Sequence, residues 1–287
     1  VVEQFKGKET TRVDFFLDAH GPARYQAGDT VVLFLEKPNS QHPLARYVEL
    51  GKLDYLSYQV RNSEHIVDEP ALADYRTVLA MYASTPGKGQ PATDPNKVKS
   101  TLMLLLGSAS PALVESGLID WQMGGAGLHF SDNEVQRLVA MTRDDARPIN
   151  LRLAILRTLA GQQLVGPGAW DPLFAGTDGA DLVAVIKSTG GYENRHFAPT
   201  LVRLLQSSGE PLAEAAARAL GHPVYRGSEA AVGTLLASES LRLNYAAVAG
   251  LVGMNSEQSE VILQKAARDH PQERVRRLIN ARLDLAG

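Results

Sequence analysis

The segment from residue 190 to 199 carries the densest set of side chains that could do chemistry. Its polar and aromatic candidates are Tyr192, Glu193, Asn194, Arg195 and His196. A carboxylate three residues from an imidazole suits general acid–base catalysis, because histidine exchanges protons near neutral pH. Loops that bind a partner have a similar composition. The segment predicts either a binding loop or an acid–base pair made by Glu193 and His196.

Other patterns that signal catalysis or cofactor binding are absent from the sequence. The seven histidines include no pair at the four-residue spacing that places two metal ligands on one helix face, and there is no cysteine. There is no Gly-x-Ser-x-Gly and no phosphate-binding loop. We therefore expect no metal, no cofactor and no catalytic residues, which favours a non-enzymatic protein.

Arginine is the main basic residue of the second half of the chain. From residue 101 onward there are 15 arginines and 2 lysines. Guanidinium groups form paired hydrogen bonds with carboxylates or phosphates, so arginines on one helical face predict an acidic partner. The candidates on the predicted second helices are Arg152, Arg157, Arg218, Arg242 and Arg276. The codon bias of a GC-rich genome would also favour arginine, so both explanations stay open.

The helices that must position these side chains recur about every 30 residues. Apolar or alanine-rich segments begin near Leu151, Leu182, Leu212, Leu241 and Val275. A period near 30 indicates stacked helix pairs, because one helical hairpin cannot bury its apolar face alone. The sequence thus predicts a chain of helical hairpins that share a core.

Helix-start signals divide the chain from residue 94 onward. Asp94 and Ser110 each precede a proline, Ser131 forms a capping box with Glu134, and Asn255 is a weaker capping candidate. The predicted pairs are 94–107 with 111–123, 132–142 with 148–161, 196–207 with 210–221, 227–237 with 240–253, and 256–269 with 271–286. These boundaries place the 190–199 segment across the start of the predicted helix 196–207.

The interval 169–191 departs from this regularity. Its glycines disfavour two full helices and predict a degraded pair, with 182–188 as the second member. Trp170 lies at this glycine-rich break and Trp121 at another. Each indole is either an exposed anchor for a ligand or part of the core. Trp170 is included among the candidate binding residues, although burial in the core is the commoner role of such a residue.

Three second helices share a recognisable pattern. Segments 151–161, 212–221 and 241–253 begin with leucine, carry alanine in the middle and end in glycine. They resemble the second helix of HEAT-like repeats of the short, about 30-residue kind, over roughly 130–190 residues. The resemblance implies an α-α superhelical array whose second helices line a concave face that binds a protein or peptide.

The charge balance bears on the kind of partner. HEAT-like glycosylases bind DNA and need a strongly basic groove, whereas residues 69–287 hold 21 basic and 22 acidic side chains. Because affinity for nucleic acid depends on neutralising phosphates, a nucleic-acid partner is not favoured. The sequence has no apolar run long enough to span a membrane.

Residues 1–68 predict a small β domain. Short apolar runs separated by turn signals recur there, and the strongest strand is 30–35, Thr-Val-Val-Leu-Phe-Leu. Four or five such strands favour a barrel-like module, which would either bind a ligand or cap the helical array. The run from Ala27-Gly28-Asp29 into this strand resembles the start of uncharacterised exported bacterial proteins.

Together these observations predict an α+β, mainly α protein. The expected parts are a β-barrel-like domain at 1–68, a helix and linker at 69–93, and the HEAT-like array at 94–287. The resemblance of the β module and the lack of an initiator methionine predict export to the periplasm or cell exterior, with the cytoplasm as the alternative. The expected function is binding or scaffolding; the alternative is an enzyme with a cleft between the β domain and the array, using Glu193 and His196.

Overall fold

The structure is a computed structural model in which most described residues are helical. The described residues are 15–16, 29–33, 35–36, 55–57, 64–67, 69–83, 94–124, 127–206 and 209–284. The chain divides into two compact units, Val1–His129 and Phe130–Gly287. The mainly helical prediction is confirmed.

The first unit contains short strands. They are β1 (Phe15–Phe16), β2 (Val31–Leu33), β3 (Leu35–Glu36), β4 (Tyr55–Ser57) and β5 (Glu64–Ile66). β4 pairs in parallel with β1 and antiparallel with β3, while β2 pairs antiparallel with β5, placing Val31 opposite Ile66. These described strands do not form the predicted barrel. Most of 1–68, including the predicted strands 1–5 and 46–50, lies outside the described residues.

The described part of the first unit also contains three helices: α1 (Glu69–Ala83), α2 (Pro95–Gly107) and α3 (Pro111–Gly124). Asp94 caps α2 as predicted, because its carboxylate accepts a hydrogen bond from the backbone N–H of Asn96 at 2.9 Å. Tyr75 of α1, Leu105 of α2 and Leu113 of α3 share a buried apolar cluster. This cluster forms because each of the three helices carries apolar residues along one side.

The second unit is built from ten α-helices within its described residues. They are α4 (Asp132–Thr142), α5 (Ile149–Gly161), α6 (Asp171–Gly176), α7 (Gly179–Ser188), α8 (Ala198–Leu205), α9 (Glu210–Ala219), α10 (Glu229–Gly233), α11 (Leu241–Met254), α12 (Glu257–Asp269) and α13 (Glu273–Asp284). Short 3₁₀ helices occupy Pro167–Trp170, Arg195–Phe197, Pro223–Tyr225 and Thr234–Ala237. Outside 169–191, the predicted helices match within two residues when these 3₁₀ turns are counted.

Helix capping explains why a predicted helix start agrees with the structure and why another does not. Ser131 and Glu134 form the predicted capping box at the start of α4. At the start of α12, however, the cap is Ser256, whose hydroxyl accepts from the backbone N–H of Ser259. Asn255 instead ends α11 in a left-handed conformation with φ of 47°, which asparagine tolerates better than most residues.

The helix pairs pack on one another in chain order. The second helix of each pair contacts the next second helix, in the order α5, α7, α9, α11, α13. Among the first helices, α8 contacts α10 and α10 contacts α12. The interval 169–191 holds two short helices, α6 and α7, which agrees with the predicted degraded pair.

The buried positions of the second helices repeat with a spacing of 31 residues. One buried position is occupied by Leu151, Leu182, Ala213, Asn244 and Val275, and the position four residues later by Ile155, Ile186, Ala217, Val248 and Ile279. Two predicted positions, Leu212 and Leu241, are only half-buried. The buried residues at the 31-residue spacing are instead Ala213 and Asn244. A pattern built on leucine does not identify alanine or asparagine as buried.

Candidate functional site

The 190–199 segment is an exposed loop with an internally bonded turn. Gly191 adopts φ of 87°, a left-handed conformation that glycine accepts without a steric penalty. Its N–H donates to the carboxylate of Glu193 at 2.8 Å. The carboxylate is thereby held against the backbone of its own turn.

Tyr192 ties the loop to α5. Its hydroxyl donates to the backbone carbonyl of Arg157 at 2.6 Å, and its ring lies 5.6 Å from that of Trp170. Trp170 is 1% exposed, and its Nε1 donates to the hydroxyl of Ser188 at 3.0 Å. Trp170 is therefore a core residue beneath the loop, as is typical of a buried indole with a hydrogen-bond partner.

Asn194 ties the loop to the next connection along the chain. Its N–H donates to the hydroxyl of Tyr225 at 3.3 Å. Its side-chain oxygen accepts from the N–H of His196 at 3.0 Å, which starts the short 3₁₀ helix. The buried ring of Phe197 closes this end of the loop. The side chains of Asn194, Arg195 and His196 remain exposed, while the loop is bonded to two neighbouring elements.

His196 pairs with a carboxylate that the sequence reasoning did not identify. Its Nε2 lies 2.8 and 3.0 Å from the two carboxylate oxygens of Asp171, the first residue of α6. An aspartate–histidine pair can orient an imidazole as a general base. Among the described residues, no serine or threonine hydroxyl is hydrogen-bonded to His196, so the geometry contains no base-activated nucleophile of that type.

Glu193 lies in an electrostatic environment that keeps it ionised. Burial raises its pKa, but hydrogen bonds from the backbone N–H groups of Gly191 and Glu193 and the nearby His222 outweigh burial, so the pKa lies below the ordinary value. The pKa of Tyr225 is raised, first by its burial and then by the charge of Glu193, against the hydrogen bond from Asn194. A carboxylate with a lowered pKa is a poor proton donor near neutral pH.

The side chain of Arg152 is buried and bonded within the chain. It is 6% exposed, its Nε donates to the backbone carbonyl of Thr142 at 2.9 Å, and its Nη1 lies 2.9 Å from the carboxylate of Asp145. The guanidinium therefore joins the start of α5 to the turn after α4. Its hydrogen-bonding capacity is largely used inside the chain.

Three other predicted arginines also have partners within the chain. Arg218 and Arg242 approach the two carboxylate oxygens of Glu214 at 3.1 and 2.6 Å, which links α9 to α11. Arg276 donates to the backbone carbonyl of His270 and lies 3.5 Å from Glu273. Arg218 and Arg242 are exposed, so their ion pairs contribute little stability and remain accessible to a competing carboxylate.

Three exposed cations near the loop have no such partner. The side chains of Arg157, Lys187 and Arg195 make no hydrogen bond or ion pair among the described residues. We call these residues the unpaired cations. Arg157 belongs to the turn of α5 that holds Tyr192, Lys187 lies in the last turn of α7, and Arg195 is in the loop itself. They are therefore attached to the same substructure.

A second carboxylate, Glu229, fixes the connection before α10. It is buried, accepts from the N–H of Gly227 at 2.6 Å and from the hydroxyl of Ser256 at 2.7 Å. Burial raises the pKa of Glu229, but these hydrogen bonds, one from its own N–H, and the nearby Arg226 lower it below the ordinary value overall. Arg226 also donates to the backbone carbonyls of Met254 and Asn255.

The sequence reasoning missed four residues of this region: Asp171, Lys187, His222 and Tyr225. The 31-residue register contains a signal for two of them. Tyr225 lies 31 residues after Asn194, and Lys187 lies 31 residues before Arg218. Aligning the repeats at that spacing would have placed these side chains at equivalent positions.

No group of three histidine or acidic side chains among the described residues could hold a metal ion. None of the described helices is both long and apolar enough to cross a bilayer. Trp121, the other tryptophan, is buried in the first unit.

The fold and the site define the protein as mainly helical, with a second unit of successively packed helix pairs and an anchored polar loop. No model of a known protein family matches the chain, and no curated protein matches it in sequence.

Proposed function

We propose that the protein is a non-enzymatic binding or scaffold protein that holds a protein or peptide partner at the 190–199 loop and the adjoining second helices. The observation that supports this most is the anchored loop. The hydroxyl of Tyr192 is bonded to α5 and the backbone N–H of Asn194 to the 223–225 turn, while the side chains of Asn194, Arg195 and His196 are exposed. A loop that is already ordered loses little conformational entropy on binding.

We further propose that residues 94–287 form a HEAT-like array. The contacts between successive second helices and the 31-residue register of their buried positions support this architecture. In such an array the second helices present a common face. A barrel-like N-terminal module and export of the protein stay predictions from the sequence.

One observation favours catalysis as a second candidate. Asp171 holds His196 by its Nε2, so His196 could accept a proton from a bound water at its other ring nitrogen. Glu193 would then bind substrate, because its pKa is lowered and its carboxylate is held by Gly191. In that case His196→Gln would abolish turnover and leave ligand binding intact, whereas a binding protein would show no turnover to lose.

Selection from a library of random peptides tests the binding proposal. Peptides that bind the intact protein should protect backbone amides of the loop and of the last turns of α5 and α7 from hydrogen exchange. The double variant Arg195→Ala, His196→Ala should weaken binding at least tenfold, about 1.4 kcal/mol. Arg268→Ala is the control, because Arg268 is exposed on α12, a first helix. Peptides that protect only other elements would overturn the proposal.

A further inference from the structure

We infer that the segment bound at the 190–199 loop is acidic and that the unpaired cations, Arg157, Lys187 and Arg195, receive its carboxylates. This inference rests on the proposed binding function and names the chemistry of the partner. The predicted arginines and the cations attached to the loop fall into two groups. Arg152, Arg218, Arg242 and Arg276 have acceptors in the chain, whereas the unpaired cations do not, as far as the described residues extend.

The unpaired cations lie on adjoining elements of the second unit. Arg157 and Lys187 lie on α5 and α7, which contact each other. Packed helices have axes about 8–10 Å apart. In an extended peptide, residues two or three positions apart are separated by roughly 7–10 Å. Acidic residues at that spacing would reach cations on adjacent helices without distortion of the loop.

The neighbourhood of Arg195 keeps its guanidinium available. The carboxylate of Glu193 is held by the N–H of Gly191, and that of Asp171 by the imidazole of His196. Both nearby acids thus have other donors. A planar guanidinium has five N–H donors and can donate two parallel hydrogen bonds to one carboxylate. This pairing gives a defined geometry as well as affinity.

The charge of the whole unit favours a peptide over a nucleic acid. Residues 130–287 contain 17 lysines and arginines and 17 aspartates and glutamates. A neutral unit does not attract an extended polyanion, whose binding depends on neutralising many phosphates. A local group of three cations is enough for a segment with two or three carboxylates.

Lysine near the end of a helix has an alternative role. Lys187 lies in the last turn of α7, where a positive charge interacts favourably with the helix dipole. That role concerns stability and predicts no dependence of peptide binding on Lys187. The two roles are therefore separable when binding and unfolding are measured on the same variant.

The experiment uses fluorescence anisotropy with three labelled probes of equal length. These are a peptide of alternating glutamate and serine, a peptide of alternating glutamine and serine, and a single-stranded oligothymidylate. The protein is the full chain, and the triple variant is Arg157→Gln, Lys187→Gln, Arg195→Gln, which keeps the length and stems of the side chains. The charge-matched control is Arg203→Gln, Lys265→Gln, Arg268→Gln, three exposed residues of α8 and α12.

The glutamate peptide should bind more tightly than the glutamine peptide, and the triple variant should reduce its affinity at least tenfold. The control variant should change it less than twofold. Raising the ionic strength from about 0.01 M to about 0.15 M shortens the Debye length from roughly 30 Å to 8 Å and should weaken binding. Urea unfolding of the triple variant should stay close to that of the wild type, since the substituted side chains are exposed.

Several results would overturn the inference. They are equal binding of the two peptides, an equal loss of affinity in the control variant, or tighter binding of the oligothymidylate, which would indicate a nucleic-acid partner. If library peptides bind the loop but are neither acidic nor affected by the triple variant, the inference fails and the proposed function stands. If no peptide protects the loop, both fail.

Discussion

Replacing Gly250 with alanine is expected to force α9 and α11 apart. These helices meet through small residues, and a Cβ on Gly250 would lie 2.5 Å from the backbone carbonyl oxygen of Ala217 and 3.2 Å from a methyl of Val232. A side chain could rotate away from such a contact. A carbonyl within a helix cannot, so relief requires that one helix shift against the other.

The expected change in the free energy of unfolding of Gly250→Ala is the difference between two opposing contributions. Ordinary contact begins near 3.4 Å, so the helices must separate by roughly 1 Å. Overpacking of a core costs about 1–3 kcal/mol, and the backbone contact places Gly250→Ala at the upper end of that range. Alanine also favours a helix interior by about 1 kcal/mol over glycine. We expect a net loss of about 1–2 kcal/mol in the free energy of unfolding.

Urea unfolding followed by circular dichroism measures this loss. A lower midpoint with an unchanged slope would show lost stability rather than a changed denatured state, and hydrogen exchange should localise the loss to α9 and α11. Gly176→Ala is the control, because Gly176 ends α6 and no atom lies within 4 Å of the added Cβ. The reasoning would be refuted if Gly250→Ala unfolded at the same urea concentration as wild type or as the control.

Three further predictions concern the site and its supports. Arg152→Ala should reduce the free energy of unfolding by about 1.5–3 kcal/mol, because a buried charged hydrogen bond is lost. Arg157→Ala should change the free energy of unfolding by no more than about 0.5 kcal/mol. Equal effects of the two substitutions in urea unfolding would contradict this prediction. Because the pKa of Glu229 is lowered, its contribution is present above the ordinary glutamate pKa and declines as pH falls through the folded-state value. A titration of stability against pH should show a smaller acid loss for Glu229→Gln. Tyr192→Phe should cost about 1 kcal/mol and speed hydrogen exchange in the 190–199 loop; unchanged exchange would argue against its anchoring role.

The helices were predictable because their signals are local. Ser131 and Glu134 are three residues apart and sufficient to start α4. The start of α12 was misplaced by one residue because Asn255 and Ser256 can both cap a helix. Only the left-handed backbone of Asn255, which the end of α11 requires, decides between them. That decision depends on the preceding helix and not on the capping motif.

The roles of the arginines were less predictable, because a guanidinium can serve either packing or binding. Arg152 and Arg157 are five residues apart on the same helix, yet one is buried against Thr142 and the other is exposed. Their difference depends on which side of α5 faces the preceding turn. The sequence indicates the face through helical periodicity, but it does not indicate which carbonyl will need a donor.

The anchored loop and the repeated helices are connected by one pattern of hydrogen bonds. Tyr192 bonds to Arg157, Asn194 to Tyr225, and Glu229 to Ser256, and each bond joins residues 27 to 35 positions apart. That separation is close to the 31-residue register, so each bond joins residues of neighbouring repeats. The loop is thus held by the repeats on both sides of it. Its polar composition was visible in the sequence, whereas its rigidity comes from bonds between repeats, and rigidity is the property on which the proposed binding depends.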